Sequence, residues 1–142
     1  MDSRDADPEL LQIGDVATRT GLSIKTIRHY DDVGLVTPSV RSSGGFRLYT
    51  SGDVARLLSI RRMKPLGFTL DEMRGLLEAL DTLDNDASTK TQSAQAMRYL
   101  ADCHQRTLQA CAKLAQQLAY AHELTDQLAQ YRDPDAAGRW EP

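Results

Sequence analysis

From Ser93 to Tyr131 the chain contains neither glycine nor proline, and it is rich in alanine, leucine and glutamine. Nothing in that stretch interrupts a helix, so one helix of about 39 residues is expected, roughly 58 Å long at 1.5 Å per residue. Met97, Leu100, His104, Leu108, Cys111, Leu114, Leu118, Ala121, Leu124 or Thr125, and Leu128 recur along it at spacings of three and four. That is a coiled-coil-like stripe with some drift in register. In a chain of 142 residues the preceding block is too small to bury the whole stripe. A partner helix from a second chain is therefore expected, rather than a helix folded back on its own domain.

The preceding block has its own pattern. Ser23-Ile24-Lys25-Thr26-Ile27-Arg28-His29-Tyr30 reads as a short helix with Ile24 and Ile27 inward. Lys25, Thr26, Arg28 and His29 then face outward. A hairpin follows, Arg41-Ser42-Ser43-Gly44-Gly45-Phe46-Arg47-Leu48-Tyr49, with its tip at Gly44-Gly45 and an arginine on either side. A reading helix followed by a basic hairpin is the pattern of a winged helix-turn-helix, and it makes double-stranded DNA the expected partner. Net charge −3 looks wrong for that until it is located. Residues 12–67 hold nine Lys/Arg against four acids, a local charge of +5, while residues 68–142 carry −5 and residues 1–11 carry −3.

Local signals set the boundaries. Residues 1–11 read as a disordered leader, acidic and unlike a signal peptide. A winged domain is expected over 12–80, starting with a short helix from Ile13 to Arg19 and a turn over Thr20-Gly21-Leu22-Ser23, where Ser23 can cap the second helix. Gly34 to Pro38 ends that helix and begins the first wing strand. A third helix from Ser51-Gly52-Asp53 carries Val54, Leu57, Leu58, Ile60 and Met63 at helical period, and Pro65 and Gly67 stop it. A fourth starts at Thr69 and buries Met73, Leu76, Leu77 and Leu80. Residues 81–92, polar and acidic, read as a linker, 93–131 as the dimerisation helix, and 132–142, with Trp140, as a loose tail. No apolar run approaches the length of a membrane span, so a cytoplasmic location is expected.

Three stretches together resemble the MerR family of bacterial transcription regulators. They are Ile13-Gly14-Asp15-Val16-Ala17, then Thr26-Ile27-Arg28-His29-Tyr30-Asp31-Asp32-Val33-Gly34-Leu35, and Gly45-Phe46-Arg47-Leu48-Tyr49 continuing through Ile60-Arg61-Arg62-Met63-Lys64-Pro65-Leu66-Gly67-Phe68-Thr69-Leu70-Asp71-Glu72. The resemblance implies a mostly α fold, a winged helix-turn-helix followed by a long antiparallel coiled-coil dimerisation helix. It also implies a homodimer on a palindrome between promoter elements, distorting the spacer so that RNA polymerase can engage it. One departure stands out: where the family usually has two aromatics after the arginine of the reading helix, the first here is His29.

The residues expected at DNA are Ser23, Lys25, Thr26, Arg28, His29, Tyr30, Arg41, Arg47, Tyr49, Arg61, Arg62 and Lys64. Arg28 and Lys25 can reach phosphate or a guanine edge, and Arg41 and Arg47 flank the wing tip beside the backbone. Tyr49 is open between a phosphate contact and packing within the wing, and Ser23 between contact and cap. Lys64 reaches phosphate by resemblance, with Arg61 and Arg62 beside it. The dimerisation set is Met97, Leu100, Leu108, Cys111, Leu114, Leu118, Ala121 and Leu128.

Cys103 and Cys111 raise a rival reading, a metal or redox sensor acting across the dimer. Eight helical residues separate them by about 12 Å, beyond the ~7 Å limit of a disulfide within one chain. Metal-sensing relatives place cysteines in a loop after the dimer helix, and here none follows position 111. Small residues at a helix seam are the simpler reading, and no metal or other cofactor is expected. With about 11 residues after the long helix, no separate effector domain is expected either. A second rival is an interaction or architectural protein whose coiled coil recruits another protein. Catalysis is not expected, because no nucleophile–base pair, phosphate loop or local metal motif is present.

Overall fold

The computed structural model describes residues 9–132, in the order α1 (Ile13–Thr20), α2 (Ile24–Asp32), β1 (Val40–Arg41), β2 (Arg47–Leu48), α3 (Ser51–Met63), α4 (Leu70–Asp84) and α5 (Lys90–Ala129). The chain divides into two compact units, residues 1–100 and 101–142. The fold is mostly helical, and β1 and β2 form one antiparallel pair with Val40 opposite Leu48 and Arg41 opposite Arg47.

The core of the first unit is mostly aliphatic. Val16, Ile27, Leu57, Ile60 and Leu77 have 1% exposure or less. Around them lie Tyr30, Leu35, Val36, Tyr49, Phe68 and Met73. The starts of α2, α3 and α4 follow side-chain caps, whereas α1 begins without one. Ser23 Oγ accepts from the Thr26 amide at 3.0 Å. Thr50 with Asp53 and Thr69 with Glu72 form reciprocal capping boxes on α3 and α4. α1 ends at Gly21, whose φ of +71° would strain any residue with a Cβ.

The structure moves several boundaries. Leu11 is not part of a loose leader. It is buried, and its backbone pairs with Tyr49 in an antiparallel bridge, with both N–H···O distances at 2.8 Å. Pairing with the wing satisfies amides that a solvated leader would leave to water. Residues 1–8 and the tail from 133, with Trp140, lie outside the described residues. The first wing strand begins at Val40 rather than near Gly34. Leu35 and Val36 bury their side chains while both amides donate to the Tyr30 carbonyl, which wraps them around the end of α2. The expected linker over 81–92 contracts to residues 85–89, because α4 continues to Asp84 and α5 begins at Lys90. Thr89 Oγ1 accepts from the Gln92 amide at 3.1 Å, and Gln92 Oε1 accepts from the Thr89 amide at 2.8 Å. This third capping box starts α5 three residues before Ser93. Leu80, expected inside, is 37% exposed.

α5 runs 40 residues, about 60 Å at 1.5 Å per residue. In the second unit every residue from Cys111 to Arg132 is exposed. Leu108, Leu114, Leu118, Leu124 and Leu128 are each about half accessible. A stripe of leucines open to water over that length is what a partner helix would cover.

Candidate nucleic-acid interface

The reading helix has two faces set by its nine residues. Ile27 and Tyr30, three apart, point into the core at 0% and 4% exposure. Ile24, Lys25, Arg28, His29 and Asp32 occupy the opposite, solvent-facing side. Ile24 was expected inside and is 40% exposed. It stands in the first turn, four residues before Arg28, and so shares the outer face with that arginine. Tyr30 was expected at DNA and is instead part of the core, its ring tilted 45° against that of His29 with centroids 5.9 Å apart. The absent outer aromatic therefore leaves His29, not Tyr30, as the ring on the open side.

Between the start of α1, the outer face of α2 and the wing lies a groove of about 550 Å³, lined by Gln12, Ile13, Arg28, Asp32, Phe46 and Arg47 among others. Arg28 and Arg47 bring their charge to it from two different elements. Arg47 is held by an ion pair, its Nη1 lying 2.9 Å from Asp31 Oδ2. The contact lacks hydrogen-bond geometry, so this oxygen is buried without a directed partner. The pair therefore anchors Arg47 by charge and leaves its side chain 38% exposed toward solvent. Phe46, at the wing tip beside Gly45, is 70% exposed. Gly45 has φ +80°, which turns the wing there. An exposed ring sharing a groove with two arginines has the chemistry to pack on sugars or a base step.

Tyr49 resolves to packing rather than phosphate contact. It is 0% exposed, and its hydroxyl is buried with no partner among the described residues. Burial, reinforced by the charges of Asp31 and Asp53, pushes its pKa above 10.0, against the opposing pull of Arg47 and Arg28. Ser23 and Thr26 are engaged with each other: besides the cap, Ser23 Oγ donates to Thr26 Oγ1 at 2.8 Å. Arg61 ties α3 to α1 by donating to the Thr20 carbonyl at 2.8 Å. Its guanidinium lies over Gly21, 3.6 Å from where a Cβ would stand. Lys25, Arg41, Arg62 and Lys64 are exposed. The exposed cations that share the groove are thus Arg28 and Arg47, with Lys25 on the same helix face as Arg28. Ile13 and Phe46 are the apolar residues lining the groove, and neither was expected at DNA; Ile24 lies outside it, on the helix face of Arg28.

On α5, Met97, Leu108, Cys111, Leu114, Leu118, Ala121 and Leu128 are exposed and Leu100 half-buried. Cys103 is buried and Cys111 exposed. Among the described residues no three His, Cys, Asp or Glu side chains come together in a way that could hold a metal ion.

Comparison with known proteins gives the same outline. Residues 11–80 match the family model described as MerR HTH family regulatory protein. The HTH-type transcriptional regulator CueR of Yersinia pestis is 37% identical over 107 residues, covering 72% of this chain and 77% of the relative. The crystal structure of the transcription regulator PbrR691 from Ralstonia metallidurans CH34, in complex with lead(II), is 31% identical. It covers 87% of this chain and 89% of that one, with a TM-score of 0.53. HiNmlR, a MerR family regulator lacking the sensor domain and bound to promoter DNA, shares the fold at 24% identity and TM-score 0.69, over 92% of this chain and 96% of its own.

Proposed function

Since the chain belongs to the MerR family of helix-turn-helix proteins and is a DNA-binding transcriptional regulator, we propose that it acts as a homodimer on a palindromic promoter operator. The groove carrying Arg28 and Arg47 is the observation that bears this reading furthest. One cation comes from the reading helix and one from the wing, so a phosphate strand lying in the groove meets positive charge on both walls. Arg28 and Lys25 face the base edges with Ile24, whose exposed methyl groups suit a thymine methyl. Arg47 and Phe46 place the wing against the backbone beside the same half-site. The exposed leucine stripe of α5 meets a second copy of itself, antiparallel. Bending and untwisting of the spacer then lets RNA polymerase engage the promoter. The protein works by binding, without a catalytic step, and in the cytoplasm. No helix among the described residues is long and apolar enough to cross a membrane.

The lead(II) complex of PbrR691 supports a second reading, metal response. In this chain such a site would take ligands from both subunits, with the exposed Cys111 as the accessible thiol. Selection of binding sites from random duplex DNA, footprinting of the best site, and sedimentation of the free protein test the main reading. A palindromic footprint with a sedimenting dimer is expected. An asymmetric single site bound by a monomer would overturn it.

A further inference from the structure

The end of the reading helix is fastened to α4 by one arginine. The last carbonyls of any helix lack partners within it. Arg74 donates from Nη2 to the Val33 carbonyl at 3.1 Å and from Nη1 to the Gly34 carbonyl at 3.0 Å. One planar guanidinium thus grips two consecutive carbonyls just past Asp32, and its positive charge lies at the negative end of the helix dipole. Neither Val33 nor Gly34 lines the groove of Arg28 and Arg47, and Arg74 itself is half-buried.

The same turn of α4 holds the start of α5. Tyr99 Oη donates to the Glu72 carbonyl at 2.8 Å. Its ring lies so close to Gly75 that a Cβ there would come within 2.6 Å of Cζ and nearer still to the hydroxyl. Only glycine admits that approach. Glu72, Arg74 and Gly75 therefore connect the reading helix and α5 through less than one turn of helix.

We propose that the turn Glu72–Gly75 is the joint that sets the orientation of the reading helix relative to α5, with Arg74 and Tyr99 as positioning residues that decide which half-site spacing the dimer accepts. The proposal rests on the dimeric, palindrome-binding reading above. Two reading helices related by a two-fold axis fit half-sites at one separation only while their distance and tilt are fixed. A joint that loosens lets each head rotate to follow half-sites placed nearer or farther. Contacts within one half-site depend on Arg28, Lys25 and the wing, which the joint does not touch.

The probe is the palindrome that the wild-type chain selects from random duplex DNA, rebuilt with its half-sites one and two base pairs closer and farther apart. A duplex carrying a single half-site is titrated alongside. Wild type, Arg74→Ala, Arg74→Lys and Tyr99→Phe are compared in full-length form. Wild type is expected to prefer the selected spacing. Arg74→Ala narrows the ratio between best and worst spacing by about tenfold, within the range over which single residues modulate coupling between sites. Its affinity for the single half-site stays within about twofold of wild type, as independent contacts should. Arg74→Lys, a point charge without the fork, falls between the two. Tyr99→Phe keeps the ring over Gly75, loses one hydrogen bond and narrows the ratio less. A purely structural role would lower binding to every probe by one common factor, and that result overturns the proposal. So does an unchanged spacing ratio in both Arg74→Ala and Tyr99→Phe. Tyr99→Phe carries the test alone if Arg74→Ala does not fold. A wild type with no spacing preference would instead overturn the palindromic reading on which the proposal stands.

Discussion

Tyr49→Phe separates the two roles open to a wing tyrosine. The ring is fully buried and its hydroxyl has no partner among the described residues. A buried polar group without a hydrogen bond costs about 1–3 kcal/mol relative to its hydrated state. Phenylalanine removes the oxygen and keeps the ring, so little dispersion energy is lost. The variant is therefore expected to gain about 1 kcal/mol of folding stability at neutral pH. The effect grows in alkali. Burial first, then the carboxylates of Asp31 and Asp53, hold the folded-state pKa above the ordinary 10.0. Once the pH passes that ordinary value the unfolded chain releases the Tyr49 proton while the folded chain retains it. Wild-type stability then falls as pH rises through the folded pKa, and the variant lacks this loss. Urea unfolding of both proteins at neutral pH and above pH 10 measures the gap, which should widen in alkali. DNA affinity and its salt dependence should not change. A variant that loses DNA affinity with unchanged stability would return Tyr49 to the phosphate contacts. A loss of about 1 kcal/mol at neutral pH would show that the hydroxyl is satisfied and refute the reasoning from its isolation.

Three further outcomes are expected. Arg47→Ala weakens binding to specific and random duplexes alike and lowers the slope of log affinity against log salt by about one unit per lost phosphate; Arg28→Ala also changes base preference in repeated site selection, and an equal loss on both kinds of DNA would make it a positioning contact only. Leu118→Asp puts a carboxylate into the exposed stripe that a partner helix would cover, so sedimentation should show dissociation and palindrome binding should be lost; an intact dimer would place Leu118 outside the seam. Mild oxidation should link chains through the exposed Cys111 near the middle of α5 and spare the buried Cys103, so Cys111→Ser should abolish the covalent dimer on a non-reducing gel, while a double Cys→Ser variant that loses a response to Zn²⁺, Cu⁺ or oxidant seen in wild type would establish the sensor reading.

The parts of this fold that could be read from the chain are those whose signals are local. The absence of Gly and Pro marks α5, the hydroxyl caps mark the starts of α2 and α4, and Gly44-Gly45 marks the wing tip. The Thr89–Gln92 box belongs to the same class. Thr89-Lys90-Thr91-Gln92 carries a helix-start pattern as plain as that at Thr69, and the acidic composition around it obscured the signal. Side-chain direction was harder to read. Ile24 and Ile27 are both apolar and three apart, yet only Ile27 is covered, because burial depends on which neighbours reach the first turn of α2. Both tyrosines sit in a basic segment, where Tyr30 reads as a DNA contact and Tyr49 equally well as a DNA contact or core. Their burial comes from elements distant in sequence: Leu11 pairs with Tyr49, and the chain after α2 folds back on the Tyr30 carbonyl.

The arginines show the same limit most clearly. Residues 12–67 contain enough positive charge to predict a DNA-binding face, but charge counting treats Arg28, Arg47 and Arg61 alike. The structure separates them by their partners. Arg28 lines the groove, Arg47 reaches it while anchored to Asp31, and Arg61 donates to the Thr20 carbonyl. Arg74 falls outside that segment altogether, in a region of net negative charge, and yet it grips the end of the reading helix. Its partners are backbone carbonyls forty residues away, and a carbonyl leaves no mark in a sequence. An arginine that holds the reading helix in place is therefore indistinguishable, in the chain alone, from one that reads DNA. The two are told apart by their acceptors, and for Arg74 these are the Val33 and Gly34 carbonyls just past the end of α2.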